Sequence, residues 1–275
     1  IELTHCGPRP AVDLLNNQTI NQYIMNEETL HRMKQMKFLG MANAFRATME
    51  ADQTASLTND QMVSLLIDAE WDDRNNRRIE RRLRLARFRY MANMEQILFN
   101  LDRNLDKNLV MRLAECGFID KAENLLITGS TGVGKSYIAS ALGNQACTMG
   151  YRVIYGNTGK LMSRLKMGKS DGSYLKEISR IEKHDLLILD DFGLQPFDNI
   201  TRSALMEIIE DRHGKRSTII TSQYPVSDWH TIIGEQTVAD AILDRIVNNT
   251  HRIDLTGPSL RELLSGKKKQ TVELD

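Results

Sequence analysis

Residues 129–136 read G-S-T-G-V-G-K-S, with L-L-I-T before them and Y-I-A-S-A-L-G-N-Q-A after. No other stretch restricts the fold so strongly. The pattern G-x-x-x-x-G-K-[ST], set between a buried strand and a helix, is a phosphate-binding loop. Gly129, Gly132 and Gly134 let the backbone turn so that its N–H groups, with those of Ser130, Thr131 and Val133, aim inward at phosphate oxygens. The following helix adds its positive N-terminal dipole. Lys135 is expected to reach the β- and γ-phosphates, and the Ser136 hydroxyl to ligate Mg2+. On its own the loop predicts a nucleoside triphosphate site.

From about residue 121 short apolar runs alternate with helical stretches. Residues 124–128, 152–156, 186–190, 217–222 and 251–255 read as strands. Residues 135–149, 171–183, 201–213 and 236–249 read as helices. That alternation predicts an α/β domain with a five-stranded parallel sheet covered on both faces.

The third strand runs into a doubled acid, L-L-I-L-D-D-F-G at 186–193. An Asp-Phe-Gly also occurs in protein kinases, but a kinase needs its own Gly-rich loop, a third-strand Lys and an H-R-D loop upstream, and these are absent. Asp190 instead ends an apolar strand about 55 residues after Lys135, where a P-loop ATPase keeps its magnesium-organising carboxylate. Asp191, one residue further, is placed to orient or deprotonate the attacking water; the competing reading is a carboxylate that caps a loop. Gln223 follows the strand S-T-I-I-T-S, at the sheet end nearest the phosphates. It reads either as a γ-phosphate sensor or water-positioning group, or as a polar strand cap. Arg245, among apolar neighbours in A-I-L-D-R-I-V, reads either as a finger reaching a neighbouring subunit's ATP or as a salt-bridged surface residue. His213, His230 and His251 lack metal spacing and read as structural.

The region before 121 has a different texture. Residues 1–24, with Gly7-Pro8 and Pro10, read as a poorly ordered leader, and Met25 resembles a true start. Residues 25–115 carry a helical pattern, with a cap at Asn26 or Thr29 and breaks near 52–60, ending in a possible cap at Thr58, and near 100–107. Net charge is zero, yet residues 74–89 hold eight arginines and one glutamate. Ile79, Leu83, Ala86 and Tyr90 are expected on one face, with Arg77, Arg78, Arg81 and Arg82 on the other. With Arg74, these arginines are the candidate contacts to duplex DNA phosphates; the alternative is a solvated or protein-binding charged face. No base-reading motif accompanies them. The three cysteines, Cys6, Cys116 and Cys147, are too dispersed for a disulfide framework or a zinc site, and fit a reducing, cytoplasmic setting. No apolar run approaches bilayer length.

Taken together, the P-loop, L-L-I-L-D-D-F-G, T-S-Q-Y-P-V-S-D-W-H and D-A-I-L-D-R-I-V-N-N-T-H-R-I-D-L-T-G-P-S-L-R resemble the IstB-like AAA+ ATPases of insertion-sequence transposition, relatives of the DnaC helicase loader and the DnaA initiator. The resemblance runs from Met25 to about Leu264. It implies a small all-α domain over 25–115, an AAA+ core over 121–265 without a C-terminal lid domain, and a basic tail over 266–275. It makes 129–136 the Walker A loop, Asp190 the Walker B acid, Asp191 a shortened stand-in for the usual Glu, Gln223 a sensor and Arg245 an arginine finger; the role of Arg261 stays open. It further implies ATP and Mg2+, homo-oligomers assembled through the ATP site on duplex DNA, and recruitment or stimulation of a transposase. A DnaC-like helicase loader is the alternative reading.

Overall fold

The computed structural model describes residues 12–51 and 57–262, residues 12–23 by their backbone. They fall into two compact units, residues 1–78 and 79–275.

The first unit contains α1 (Val12–Gln35), α2 (Leu39–Glu50) and the start of α3 (Asn59–Ala86). α1 begins at Val12, so no break falls at Met25; the rest of the expected leader, residues 1–11, lies outside the described residues. Thr29 does not cap a helix start, because its hydroxyl donates to Met25 O one turn back. The expected cap at Thr58 is present. Thr58 Oγ1 accepts from Gln61 N at 3.3 Å while Gln61 Oε1 accepts from Thr58 N at 2.9 Å, a reciprocal capping box. Glu70 ties α3 to the start of α2: its Oε2 accepts from the N–H groups of Gly40 (2.9 Å) and Met41 (3.3 Å). Those donors are otherwise unpaired at a helix N-terminus.

The second unit is built on five parallel strands, β1 (Asn124–Gly129), β2 (Val153–Asn157), β3 (Leu186–Phe192), β4 (Ser217–Ser222) and β5 (Thr250–Leu255), in the order β2-β3-β4-β1-β5. Its helices are α4 (Lys107–Ala114), α5 (Gly117–Asp120), α6 (Lys135–Thr148), α7 (Thr158–Asp171), α8 (Tyr174–Glu182), α9 (Asn199–Arg212), α10 (Trp229–Ile233) and α11 (Gln236–Val247). Side chains alternate across the sheet with period two. Leu125, Ile127, Leu186, Ile188 and Ile219 pack on one face with Ile138 and Leu142 of α6. Leu126, Leu187, Leu189 and Ile220 pack on the other with Leu205, Ile208, Trp229 and Ile242. Covering both faces explains why these strands are continuously apolar. Among the described residues no helical domain follows β5.

Two expectations change. The sequence pattern put the domain boundary between 115 and 121, but Ala86, Ala92, Ile97, Val110, Leu113 and Phe118 all join the α6-side core, so residues 79–120 belong with the α/β unit. Nor does the helical pattern run on to the expected break near 100–107: between Arg87 and Asp106 there is only a short 3-10 turn at Met94–Gln96, and Tyr90 lies beyond the end of α3. The helix α7 was not foreseen. Its Leu161, Met162 and Leu165 are buried, but Gly159 and Gly168 obscured their helical spacing.

Candidate nucleotide site

The parallel topology delivers the C-terminal ends of β1, β3 and β4 to one edge of the sheet, where ligands bind in open α/β folds. The loop 129–134 leaves β1 there and enters α6. Gly129 (φ +140°), Gly132 and Gly134 all adopt positive φ. At Gly129 a Cβ would stand 2.2 Å from the backbone oxygen of Leu255 on β5, so only glycine fits. Behind the loop, buried Arg103 donates from Nη1 to Val133 O at 2.9 Å and from Nη2 to Leu98 O at 2.6 Å. Burial holds its pKa below the usual guanidinium range.

Lys135 is 7% exposed and folds back on its own loop, its Nζ 2.7 Å from both Gly129 O and Ser130 O. That leaves one ammonium proton for a phosphate oxygen. Burial lowers its pKa while Asp191 and Asp190 oppose that shift. Ser136 Oγ, in the first turn of α6, donates to Asp190 Oδ1 at 2.7 Å, so the helix that follows β1 reaches the end of β3.

In a regular strand the side chains of Asp190 and Asp191 would point to opposite faces. Here the register slips. Leu189 pairs with Ile220 and Phe192 with Ser222, three steps on β3 against two on β4, which is a β-bulge. Asp191 takes a left-handed conformation, φ 58°. Both carboxylates consequently turn toward the same guanidinium, with Arg89 Nη1 at 2.9 Å from Asp191 Oδ2 and 3.5 Å from Asp190 Oδ2. Asp190, fully buried, also accepts from the hydroxyls of Thr221 and Tyr155, and burial beside it drives the Tyr155 pKa far upward. Asn157 Nδ2 donates to Asp191 Oδ2 at 3.0 Å. Phe192, by contrast, belongs to the core, with its ring 4.6 Å from that of buried Trp229.

Gln223 is drawn to the phosphate loop: Thr131 Oγ1 donates to its Oε1 at 2.7 Å. Arg261 also reaches the site, with Nη2 3.2 Å from the Tyr90 hydroxyl. Together Arg89, Lys135, Asp191, Gln223, Leu260 and Arg261 help line a cleft of about 390 Å³. Arg245 does not line it. On α11 its Nη2 pairs with Glu210 at 3.3 Å and its Nη1 donates to Ala241 O at 2.8 Å. The basic segment divides as well. Arg74 pairs with Glu70 and Arg77 with Asp73, whereas among the described residues no ion pair engages Arg78, Arg81 or Arg82.

Sequence reasoning missed Arg89, Asn157, Tyr155 and Thr221. The signal for Asn157 was available, because it is the polar residue that closes the V-I-Y-G-N run of β2, and it lies directly beside Asp190. Arg89 carried no such signal within a run of arginines.

Comparison with known proteins settles the lineage. A family model described as IstB-like ATP binding protein matches residues 31–269. The chain belongs to this family. It is 45% identical over 233 residues to the insertion sequence ATP-binding protein y4pL of Sinorhizobium fredii, covering 85% of this chain and 95% of that protein. It is 40% identical over 205 residues to the ATP-binding protein of insertion sequence IS1162 from Pseudomonas fluorescens, covering 74% and 89%. Among solved structures it resembles DnaI, with a TM-score of 0.53 at 22% identity over 64% of this chain and 94% of that one. This likeness supports the AAA+ type of fold. The IstB-like chain is thus an ATP-binding protein of the insertion-sequence type, and none of its described helices is long and apolar enough to cross a membrane.

Proposed function

We propose that this IstB-like protein is an ATP hydrolase serving insertion-sequence transposition. ATP-bound copies assemble through the nucleotide site on duplex DNA, contact it largely without sequence preference, and recruit or stimulate a transposase. Hydrolysis sets when the assembly ends. The observation that carries this reading is the acid pair: Asp190 and Asp191 both turn toward Arg89, Asp190 bonds Ser136 from behind, and Asp191 lines the same cleft as Lys135 and Ser136.

The N–H groups of 129–136 cradle the phosphates of ATP, and Lys135 neutralises charge on the β- and γ-phosphates. Ser136 Oγ and Asp190, hard oxygen donors already 2.7 Å apart, suit Mg2+, which when bound neutralises charge developing between the β- and γ-phosphates. Asp191 orients a water, and Gln223, anchored to Thr131, reports the γ-phosphate. Arg245 would leave Glu210 to serve a neighbouring copy, so ATP joins subunits. Arg78, Arg81 and Arg82, which have no ion pair among the described residues, supply the strongest share of a salt-sensitive DNA contact that also includes Arg74 and Arg77.

Sedimentation of the full chain with a non-hydrolysable ATP analogue and duplex DNA tests this reading. A large DNA-bound species is expected for the wild type, and none for Lys135→Ala. A wild type that stays small with both ligands present overturns it. A wild type that ignores duplex DNA but binds a replicative helicase points instead to helicase loading.

A further inference from the structure

Arg89 lies three residues beyond the end of α3, outside any helix or strand. Among the described residues no other cation lies within ion-pair distance of Asp190 or Asp191. The Tyr90 ring lies 5.5 Å from its guanidinium carbon. The backbone around it is anchored: Ala86 is fully buried, and the Phe88 ring packs against Gly143 of α6 so closely that a Cβ there would be 2.6 Å away. The Arg89 side chain is 41% exposed, so it can swing while its backbone stays.

The oxygens that Arg89 engages are those the proposed chemistry needs. Asp191 Oδ2 receives two N–H donors, from Arg89 and Asn157, which occupy the lone pairs that a water's O–H would need. Asp190 Oδ2 is shared between Arg89 and the Tyr155 hydroxyl. Two carboxylates on adjacent residues, turned the same way, repel each other unless a cation lies between them. One guanidinium and one divalent ion cannot both hold them at full strength.

Resting on the magnesium and ATP reading above, we propose that Arg89 is a resident counter-cation of the acid pair. It is a positioning residue that holds Asp190 and Asp191 until a divalent ion displaces it. Its departure leaves Asp191 Oδ2 with the Asn157 bond alone, so arming the site and loading it become a single event.

The test uses the full chain as wild type, Arg89→Lys, Arg89→Gln and Arg89→Ala, each saturated with a fluorescent non-hydrolysable ATP analogue and titrated with Mg2+ while nucleotide fluorescence is read. Removing a competitor tightens the remaining ligand, so the Mg2+ midpoint is expected to fall at least about fivefold in Arg89→Ala and Arg89→Gln and to stay within about twofold in Arg89→Lys. A midpoint that is unchanged in Arg89→Ala and Arg89→Gln overturns the proposal. A midpoint that rises also overturns it and makes Arg89 a phosphate ligand. A wild type that binds no analogue at any Mg2+ concentration overturns the ATP reading and this proposal together. A wild type that binds with a midpoint insensitive to Arg89 overturns this proposal alone.

Discussion

Thr221 on β4 holds both halves of the acid pair through a single oxygen: its Oγ1 donates to the Asp190 carboxylate and accepts the backbone N–H of Asp191 at 3.1 Å. It is the one β4 residue facing two on β3, so it fixes the bulge as well as the acid. Thr221→Val keeps the shape and removes both bonds. We expect turnover to fall at least about tenfold, nucleotide affinity to stay within about threefold, and stability to drop by about 1–3 kcal/mol from unsatisfied buried groups. Steady-state hydrolysis beside nucleotide titration checks this, and unchanged turnover would remove Thr221 from the mechanism.

Asp191 occupies left-handed backbone, a region that asparagine also tolerates well. Asp191→Asn keeps an oxygen for Arg89 and Asn157 but weakens a charge-assisted bond, so it should lower stability by about 1 kcal/mol, a few degrees in melting temperature, and leave nucleotide bound. Turnover should fall by about 100-fold, the usual contribution of a general base. Wild-type turnover in this variant means another group orients the water.

Arg78, Arg81 and Arg82 test the division seen along the basic helix. Reversing these three to Glu should lower the salt slope of duplex binding by about two to three, at ~0.9 per lost phosphate contact. Reversing Arg74 and Arg77, already held by Glu70 and Asp73, should lower it less. Equal losses from the two sets would show that the intrahelical pairs break on DNA.

Glu70 makes the first unit acid-sensitive. Burial pushes its pKa up, but the Arg74 guanidinium and the N–H groups of Met41 and Gly40 outweigh that and hold it below the usual value. A depressed carboxylate contributes stability above its unfolded pKa of about 4.3 and loses it as pH falls through the folded value. Helicity of α1 and α2 should thus decline below pH ~4, and Glu70→Gln should flatten that decline while lowering stability at pH 7. Circular dichroism of the full chain against pH, wild type beside Glu70→Gln, reads both.

Gly129 is irreplaceable for a backbone reason. A methyl there meets Leu255 O at 2.2 Å in a strained region of φ, so Gly129→Ala should destabilise the α/β unit by more than about 2 kcal/mol. Chemical denaturation measures it; a loss under ~0.5 kcal/mol would show that β5 yields easily.

Much of this was legible before any coordinates. Buried strands of L-L-I-T and L-L-I-L type announce a parallel sheet, because only a sheet covered on both faces makes every position apolar. The phosphate loop and Asp190 were equally readable, since their spacing encodes a strand–loop–helix and a second strand that ends on the same edge of the sheet. The bulge was not readable: D-D-F reads as ordinary alternation until the partner strand supplies one residue fewer. Arg89 was hidden because its charge looked like part of a DNA-facing run, and only the path of residues 87–92 along the α6 side of the core brings it to the acids. The boundary near 120 failed for the same reason, since composition changes there but packing does not.

The bulge also changes what the genetic text can encode. Regular alternation grants a strand one cleft-facing side chain per two codons, whereas here consecutive codons specify two groups of one site. An in-frame deletion of either aspartate codon would not subtract one acid from a fixed frame. It would restore even pairing between β3 and β4, keep Phe192 opposite Ser222 and on the Trp229 side, and leave a single carboxylate at the site. The bulge and the second acid are therefore one unit of inheritance, gained or lost together.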